Sequence, residues 1–207
     1  MNTLFPDLVL TLHQIQSLKV PDERKAVLAP VVDYLRTQKE KGKIPRLSFI
    51  CTHNSRRSQL SQIWAEFFAY WFEIPFEGYS GGVEVTAMNY RAVEALKNQG
   101  FVVHSTGDST NPIYSFQPSP NGPIFKAFSK LYHDAVNPTQ DFGAIMTCSD
   151  ADENCPYIPG ADCRIPVRYV DPKVSDDSPQ EKETYAARSL QIASEWKYVF
   201  EQLKSNA

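Results

Sequence analysis

The spacing of apolar positions changes along the chain. Leu8, Leu12 and Ile15 recur at helical spacing, and Leu28, Val31, Val32 and Leu35 line one face of PDERKAVLAPVVDYLRTQKEKGK. Pro30 is expected to start a new helix or kink this one, and Gly42 and Pro45 to end it. Residues 1–45 therefore read as a helical extension, an added layer on a core. Residues 46–51 read as a buried strand, and Leu60, Ile63, Trp64, Phe67, Phe68 and Trp71 make a strong helical stripe over 57–72. FEGYSGG is a short strand ending in glycines. Residues 88–99 form a helix with Ala92, Val93 and Leu96 inward and Gly100 as its cap. FVVH, DFGAIMTC and CRIPVRYV read as further strands. Residues 179–204 form a last helix with Ile192, Trp196, Val199, Phe200 and Leu203 on one side.

Strands alternating with helices imply parallel βαβ units. The expected fold is α/β, a central parallel four-stranded sheet flanked by helices, occupying residues 46–207. Sites in such sheets lie at the carboxyl ends of strands, and Cys51, Cys148 and Asp171 all fall there. Residues 105–142 break the alternation: two aromatic-rich segments flank a Pro/Asn/Gly turn, which reads as an inserted β-hairpin, either a lid, a partner surface or decoration.

Composition narrows the function. A chain of 207 residues, 42% hydrophobic and 22% charged, has a real core in one domain with elaborations. A net charge of −3 argues against nucleic-acid or membrane-surface binding, and no apolar run reaches membrane-spanning length. The start, MNTLFPDLVL, lacks a basic segment and carries Asp7, so the expected compartment is the cytoplasm. Four cysteines in such a chain point to catalytic, redox or inert thiols rather than a disulfide framework.

The stretch CTHNSRRSQ joins the first strand of the α/β region to its helix. A loop in that position turns successive backbone N–H groups inward at a helix N-terminus and cradles a tetrahedral oxyanion. Cys51 sits in the same positive field, which favours its thiolate. Arg57 can fold its planar fork onto two oxygens of the anion, and Ser58 can donate a hydroxyl to the sulfur. Cys-x5-Arg-Ser thus combines nucleophile, cradle and clamp.

A second cluster, TCSDADENCPYIPGADC, sets Cys148 and Cys155 seven residues apart. Three readings are open: a metal site, although the spacing lacks the tight zinc pattern; two inert cysteines; or a redox pair. Seven residues of intact helix span roughly 10 Å, and a disulfide needs Cα atoms within about 7 Å. A bridge would therefore require the segment to loop out. Asp150, Asp152, Asn154 and Pro156 make it easy to remodel. Cys163 reads as a buried, inert residue.

CTHNSRRSQ resembles the active-site loop of the low-molecular-weight protein tyrosine phosphatases and of the thioredoxin-coupled arsenate reductases that share their fold. Here His53 replaces the usual glycine and Arg56 a frequent cysteine; His53 is expected at the rim of the loop. CSDADENCP resembles the reductases' second cysteine segment, which the phosphatases lack, and YVDP resembles the shared motif carrying the general acid. The resemblance covers about 46–203, apart from the 105–142 excursion. It implies arsenate held by Thr52, His53, Asn54, Ser55, Arg56, Arg57 and Ser58 and attacked by Cys51, with Asp171 as acid. It also implies a relay through Cys148 and Cys155 recycled by thioredoxin, with no cofactor. Some relatives bind potassium; the matching positions are Asn54, Gln62, Ser80 and Asp108, with Gln62 in place of a carboxylate, so no metal is expected. The rival readings are a phosphatase acting on phosphate monoesters and a redox-responsive binding protein.

Overall fold

The computed structural model describes residues 3–154 and 157–204; Cys155, in the expected relay, lies outside the described residues. Its central sheet follows the chain as β1 (Arg46–Cys51), β2 (Glu77–Gly82), β6 (Phe142–Met146) and β7 (Ala161–Pro166), ordered β2-β1-β6-β7. All three pairings are parallel, as the βαβ pattern requires. The connecting helices are α3 (Arg57–Trp71) after β1, α4 (Tyr90–Asn98) after β2 and the short α5 (Ser149–Asn154) after β6; α6 (Glu181–Lys204) closes the chain.

Alternation along the strands sorts side chains to two faces. Leu47 and Phe49 of β1 and Ile145 of β6 join the large core with α3, α4 and α6. Phe49 meets Trp196 edge-on, ring centres 4.9 Å apart. Ile50, Ala144 and Met146 face a smaller cluster that also contains Cys51, Cys148 and Ala151. The two N-terminal helices, α1 (Pro6–Ser17) and α2 (Asp22–Glu40), bury Leu8, Leu12, Ile15, Leu28, Val31 and Leu35 in the large core. Pro30 does not start a new helix; it lies inside α2.

FVVH does not belong to the parallel sheet. As β3 (Val102–Thr106) it pairs antiparallel with β4 (Ile113–Gln117), which pairs with β5 (Phe125–Ala127) across the Pro/Asn/Gly turn. The physical reason is polarity: His104, Ser105 and Thr106 are exposed, and a parallel strand must bury both faces. Phe116 and Phe125 fasten this second sheet to the main core. The chain beyond β5 then returns to the free edge of β2, where Leu131 bridges Gly82 and the Asn137 amide donates to the carbonyls of Ser80, Leu131 and Tyr132.

Candidate active site

Cys51 ends β1 almost fully buried, and the chain leaves it in a tight loop. Every carbonyl of that loop is turned outward. Thr52 O accepts from Val83 and Glu84 N–H at 2.8 and 2.9 Å, Ser55 O from Asn89 N–H at 2.9 Å, and Arg56 O from Leu60 N–H at 2.9 Å. His53 O accepts from the Ser129 hydroxyl at 2.9 Å, and Asn54 O from the Gln59 amide. With the carbonyls engaged outside, the N–H groups are left to the interior. Among the described residues, those of His53–Arg56 donate to no protein acceptor. Inward amides at the start of α3 form a nest for an anion.

Asn54 supplies the turn, at φ 46°. Its buried side chain donates to Ser58 Oγ at 2.9 Å and accepts from Lys130 N–H at 3.0 Å. Since Ser58 Oγ accepts from Asn54, its own proton is free for Cys51 Sγ, 3.1 Å away. Gly82, opposite Cys51 in the register, must be glycine: a Cβ there would stand 2.7 Å from Asn54 N. His53 has no left-handed backbone; it stands exposed on the rim, with Nε2 3.3 Å from Glu84 Oε2.

Arg57 begins α3. Its Nη2 is 2.8 Å from Asp171 Oδ2, its Nη1 donates to Tyr169 O at 3.2 Å, and its buried Nε has no protein partner. That nitrogen is the donor left for an oxyanion. Asp171 caps the 3₁₀ turn Pro172–Ser175, accepting from Lys173 N–H at 3.0 Å. Arg56 turns away from the cradle: its Nε donates to Tyr185 Oη at 2.8 Å, and its Nη2 lies 3.5 Å from Asp176 Oδ2.

Cys148 is also buried, just past the end of β6. In the β1–β6 register Ile50 faces Met146, so Cys51 faces Thr147 and Cys148 is one residue further on. Both cysteines belong to the same small buried cluster. Thr52 links them: its hydroxyl is 3.6 Å from Cys148 Sγ and donates to Asp150 Oδ2 at 2.6 Å. Ala151 N–H donates to Cys148 Sγ at 3.3 Å. Cys163 sits half-buried on β7, and burial, then the charge of Asp162, push its thiol up to about 11.

The four positions matched to potassium are engaged by protein groups, Asn54 by Ser58 and Lys130 as above. Ser80 donates to Gln62 at 2.7 Å, Gln62 donates to Glu66 and to Lys126 O, and the Asp108 carboxylate is taken up by Thr110. Lys130, which lies outside any motif, is a buried lysine whose backbone N–H holds the Asn54 side chain. Sequence reasoning also missed Tyr185 and Asp176 as the holders of Arg56. Asp152 was legible only as a poor helix former.

No family model matches the chain. Among solved structures, it resembles a low-molecular-weight phosphotyrosine phosphatase from Vibrio cholerae O395 with a TM-score of 0.52 at 13% identity, over 79% of this chain and 99% of that one. The Drosophila arginine phosphatase aligns with a TM-score of 0.51 at 14% identity, over 78% and 99%. The fold is the one these phosphatases have, and the Cys-x5-Arg loop stands at the end of its first sheet strand. Arsenate reductases are among the curated proteins similar to it in sequence. Arsenate reductase 2 of Staphylococcus epidermidis is 32% identical over 111 residues, 54% of this chain and 66% of that protein. The arsenate reductase of Staphylococcus aureus is 32% identical over 114 residues, with the same coverage. The chain thus spans just under two thirds of the length of these relatives.

Proposed function

We propose that the protein reduces arsenate to arsenite at the expense of its own thiols and is recycled by thioredoxin. The observation that carries this reading is the second buried cysteine: Cys148 lies at the end of the strand beside Cys51, in the same apolar cluster. Phosphate-ester hydrolysis has no use for it. The Cys51 thiolate attacks arsenic(V) held by the loop amides and Arg57, and a water departs with the proton of Asp171. An acid aimed at a leaving oxygen contributes about 10²–10⁴ in rate. Cys148 thiolate then attacks Cys51 Sγ. The S–S bond forms, the S–As bond breaks, and its electron pair stays on arsenic, which leaves as arsenite. Two thiols become one disulfide, which balances the two electrons gained by arsenic. Cys155 displaces Cys51 from Cys148 by thiol–disulfide exchange, and thioredoxin's dithiol reduces the resulting Cys148–Cys155 bridge.

The proposed residues are Cys51, Arg57, Asp171, Cys148 and Cys155 for the chemistry, with Thr52, His53, Asn54, Ser55, Arg56 and Ser58 around the anion. No helix among the described residues is long and apolar enough to cross a membrane, and the cytoplasm, where thioredoxin keeps thiols reduced, is the compartment that suits this cycle. A groove of about 490 Å³ beside the loop, lined by Arg56, Met88, Tyr90, Tyr114 and Lys173, favours phosphate monoester hydrolysis as the second reading. An anaerobic assay with arsenate, thioredoxin and its reductase, run beside aryl-phosphate hydrolysis, separates the two. Arsenite formation that stops when thioredoxin is withheld is expected; hydrolysis with no arsenite at any thioredoxin concentration gives the reading to the phosphatase.

A further inference from the structure

We infer that Asp152 is a positioning residue, a latch that holds α5 closed over Cys148 and has to open for the second thiol exchange; the exchange itself rests on the relay proposed above. Asp152 is a nearly buried carboxylate with two cationic partners from one neighbouring segment. Arg164 of β7 reaches Oδ1 at 2.5 Å and also donates to the Asp152 carbonyl. Arg168, just beyond β7, donates from Nε to Oδ2 at 2.6 Å.

A six-residue helix of sequence SDADEN cannot stand on its own propensity. What fixes it is tertiary: Ala151 in the cluster with both cysteines, Asp150 bonded to Thr52, and Asp152 pinned to β7. While α5 is closed, Cys148 is 1% exposed, shielded from outside thiols and in the same buried cluster as Cys51. Seven residues of intact helix hold its ends about 10 Å apart, further than a disulfide allows. A bridge across this seven-residue spacing therefore requires α5 to unwind, and unwinding carries Asp152 away from both arginines. Asp150 is tied to the oxyanion loop, Asp152 to the far strand. The second tie governs release without entering the anion site.

The test uses the full-length reduced protein and variants Asp152→Asn, Asp152→Glu and Arg164→Gln/Arg168→Gln. Iodoacetamide labelling read by peptide mass spectrometry should proceed about tenfold faster at Cys148 in Asp152→Asn and in the arginine double variant, as expected when local opening is eased. Cys51 labelling and aryl-phosphate hydrolysis should stay within about twofold of wild type, which also verifies the fold, and Asp152→Glu should restore slow labelling. In a single turnover with arsenate, Asp152→Asn should reach the Cys148–Cys155 disulfide faster than wild type. Cys148 labelling at the wild-type rate in both latch-breaking variants overturns the latch. If labelling responds as described while arsenate is never consumed, the latch stands and the reductase reading fails.

Discussion

The loop from Cys51 to Ser58 and the segment from Cys148 to Asn154 both begin at a buried cysteine past the end of neighbouring parallel strands, and they are held in opposite ways. The loop is fixed through its backbone: its carbonyls are satisfied from β2, α4 and the insertion, and Asn54 adds a buried side-chain tie. The other segment is fixed through side chains, by Thr52 and two arginines acting on a six-residue helix of poor helix formers. Preorganised donors stabilise developing charge because nothing has to move when it appears. A thiol relay needs the reverse, a segment that stays closed until one exchange is done and then opens. Under the proposed function, the two regions divide these demands between them.

Substitutions in the loop should therefore remove all chemistry, and substitutions in the relay only one kind. Cys51→Ser should lower both arsenate reduction and aryl-phosphate hydrolysis at least ~10⁴-fold. Arg57→Lys, which keeps charge but loses the fork, should lower both about 10²–10³-fold. Steady-state assays on both substrates read this; near-normal activity in Cys51→Ser would end every catalytic reading of the site. Cys148→Ser and Cys155→Ser should abolish thioredoxin-dependent turnover and leave aryl-phosphate hydrolysis within about twofold. Without Cys155, one equivalent of arsenite should be released and the enzyme should stop as Cys51–Cys148, a species that peptide mass spectrometry identifies. Continued cycling of Cys155→Ser at the wild-type rate would break the comparison at its second half.

A smaller effect tests how the loop is held. Asn54→Gly keeps the left-handed backbone but leaves Ser58 and Lys130 N–H without their partner, while Asn54→Ala loses both. Asn54→Gly should cost about 1–3 kcal/mol of stability for the unpaired buried groups, and Asn54→Ala about 1 kcal/mol more for the strained φ. Urea denaturation of the three proteins measures both steps. Equal losses would mean that the loop does not depend on this conformation.

What could be read in advance follows how local each feature is. The cradle is one contiguous stretch between an apolar strand and an amphipathic helix, so CTHNSRRSQ carried Cys51, Arg57 and Ser58 on its face. The ties that fix it come from elsewhere: Ser129 and Lys130 from the insertion, Tyr169 O from beyond β7. No periodicity connects those positions; only the topology brings them in. FVVH read as a strand and is one, but a short apolar run does not say which sheet it joins, and the polar residues after Val103 were the usable sign. Asp152 was seen as a weak point of a helix, and its strength lies in arginines more than ten residues away.

The smallest expected effect concerns the buried charges beside α3, where the contrast with the acidic α5 is electrostatic. Glu66, one turn along α3 from Gln62, is pushed up to about 8 by burial, against the opposing pull of the Gln62 amide and the Lys130 ammonium. Burial lowers Lys130 to about 8 in turn. A carboxyl whose folded value stands above its unfolded one contributes stability that is complete below the unfolded value and is lost as pH rises through the folded one. For Glu66 that window runs from 4.5 to about 8. In the same window Lys130 is protonated in both states, so its own titration sets in only above about 8. The protein should therefore lose stability between pH 5 and 8 through Glu66, and Glu66→Gln should flatten the slope. The variant should gain about 1 kcal/mol on wild type by pH 8, or roughly 2–4 °C in Tm, with little difference at pH 5. Thermal unfolding across that range measures it. If the difference stays constant with pH, Glu66 is already ionised in the folded protein and its surroundings are wetter than their packing implies.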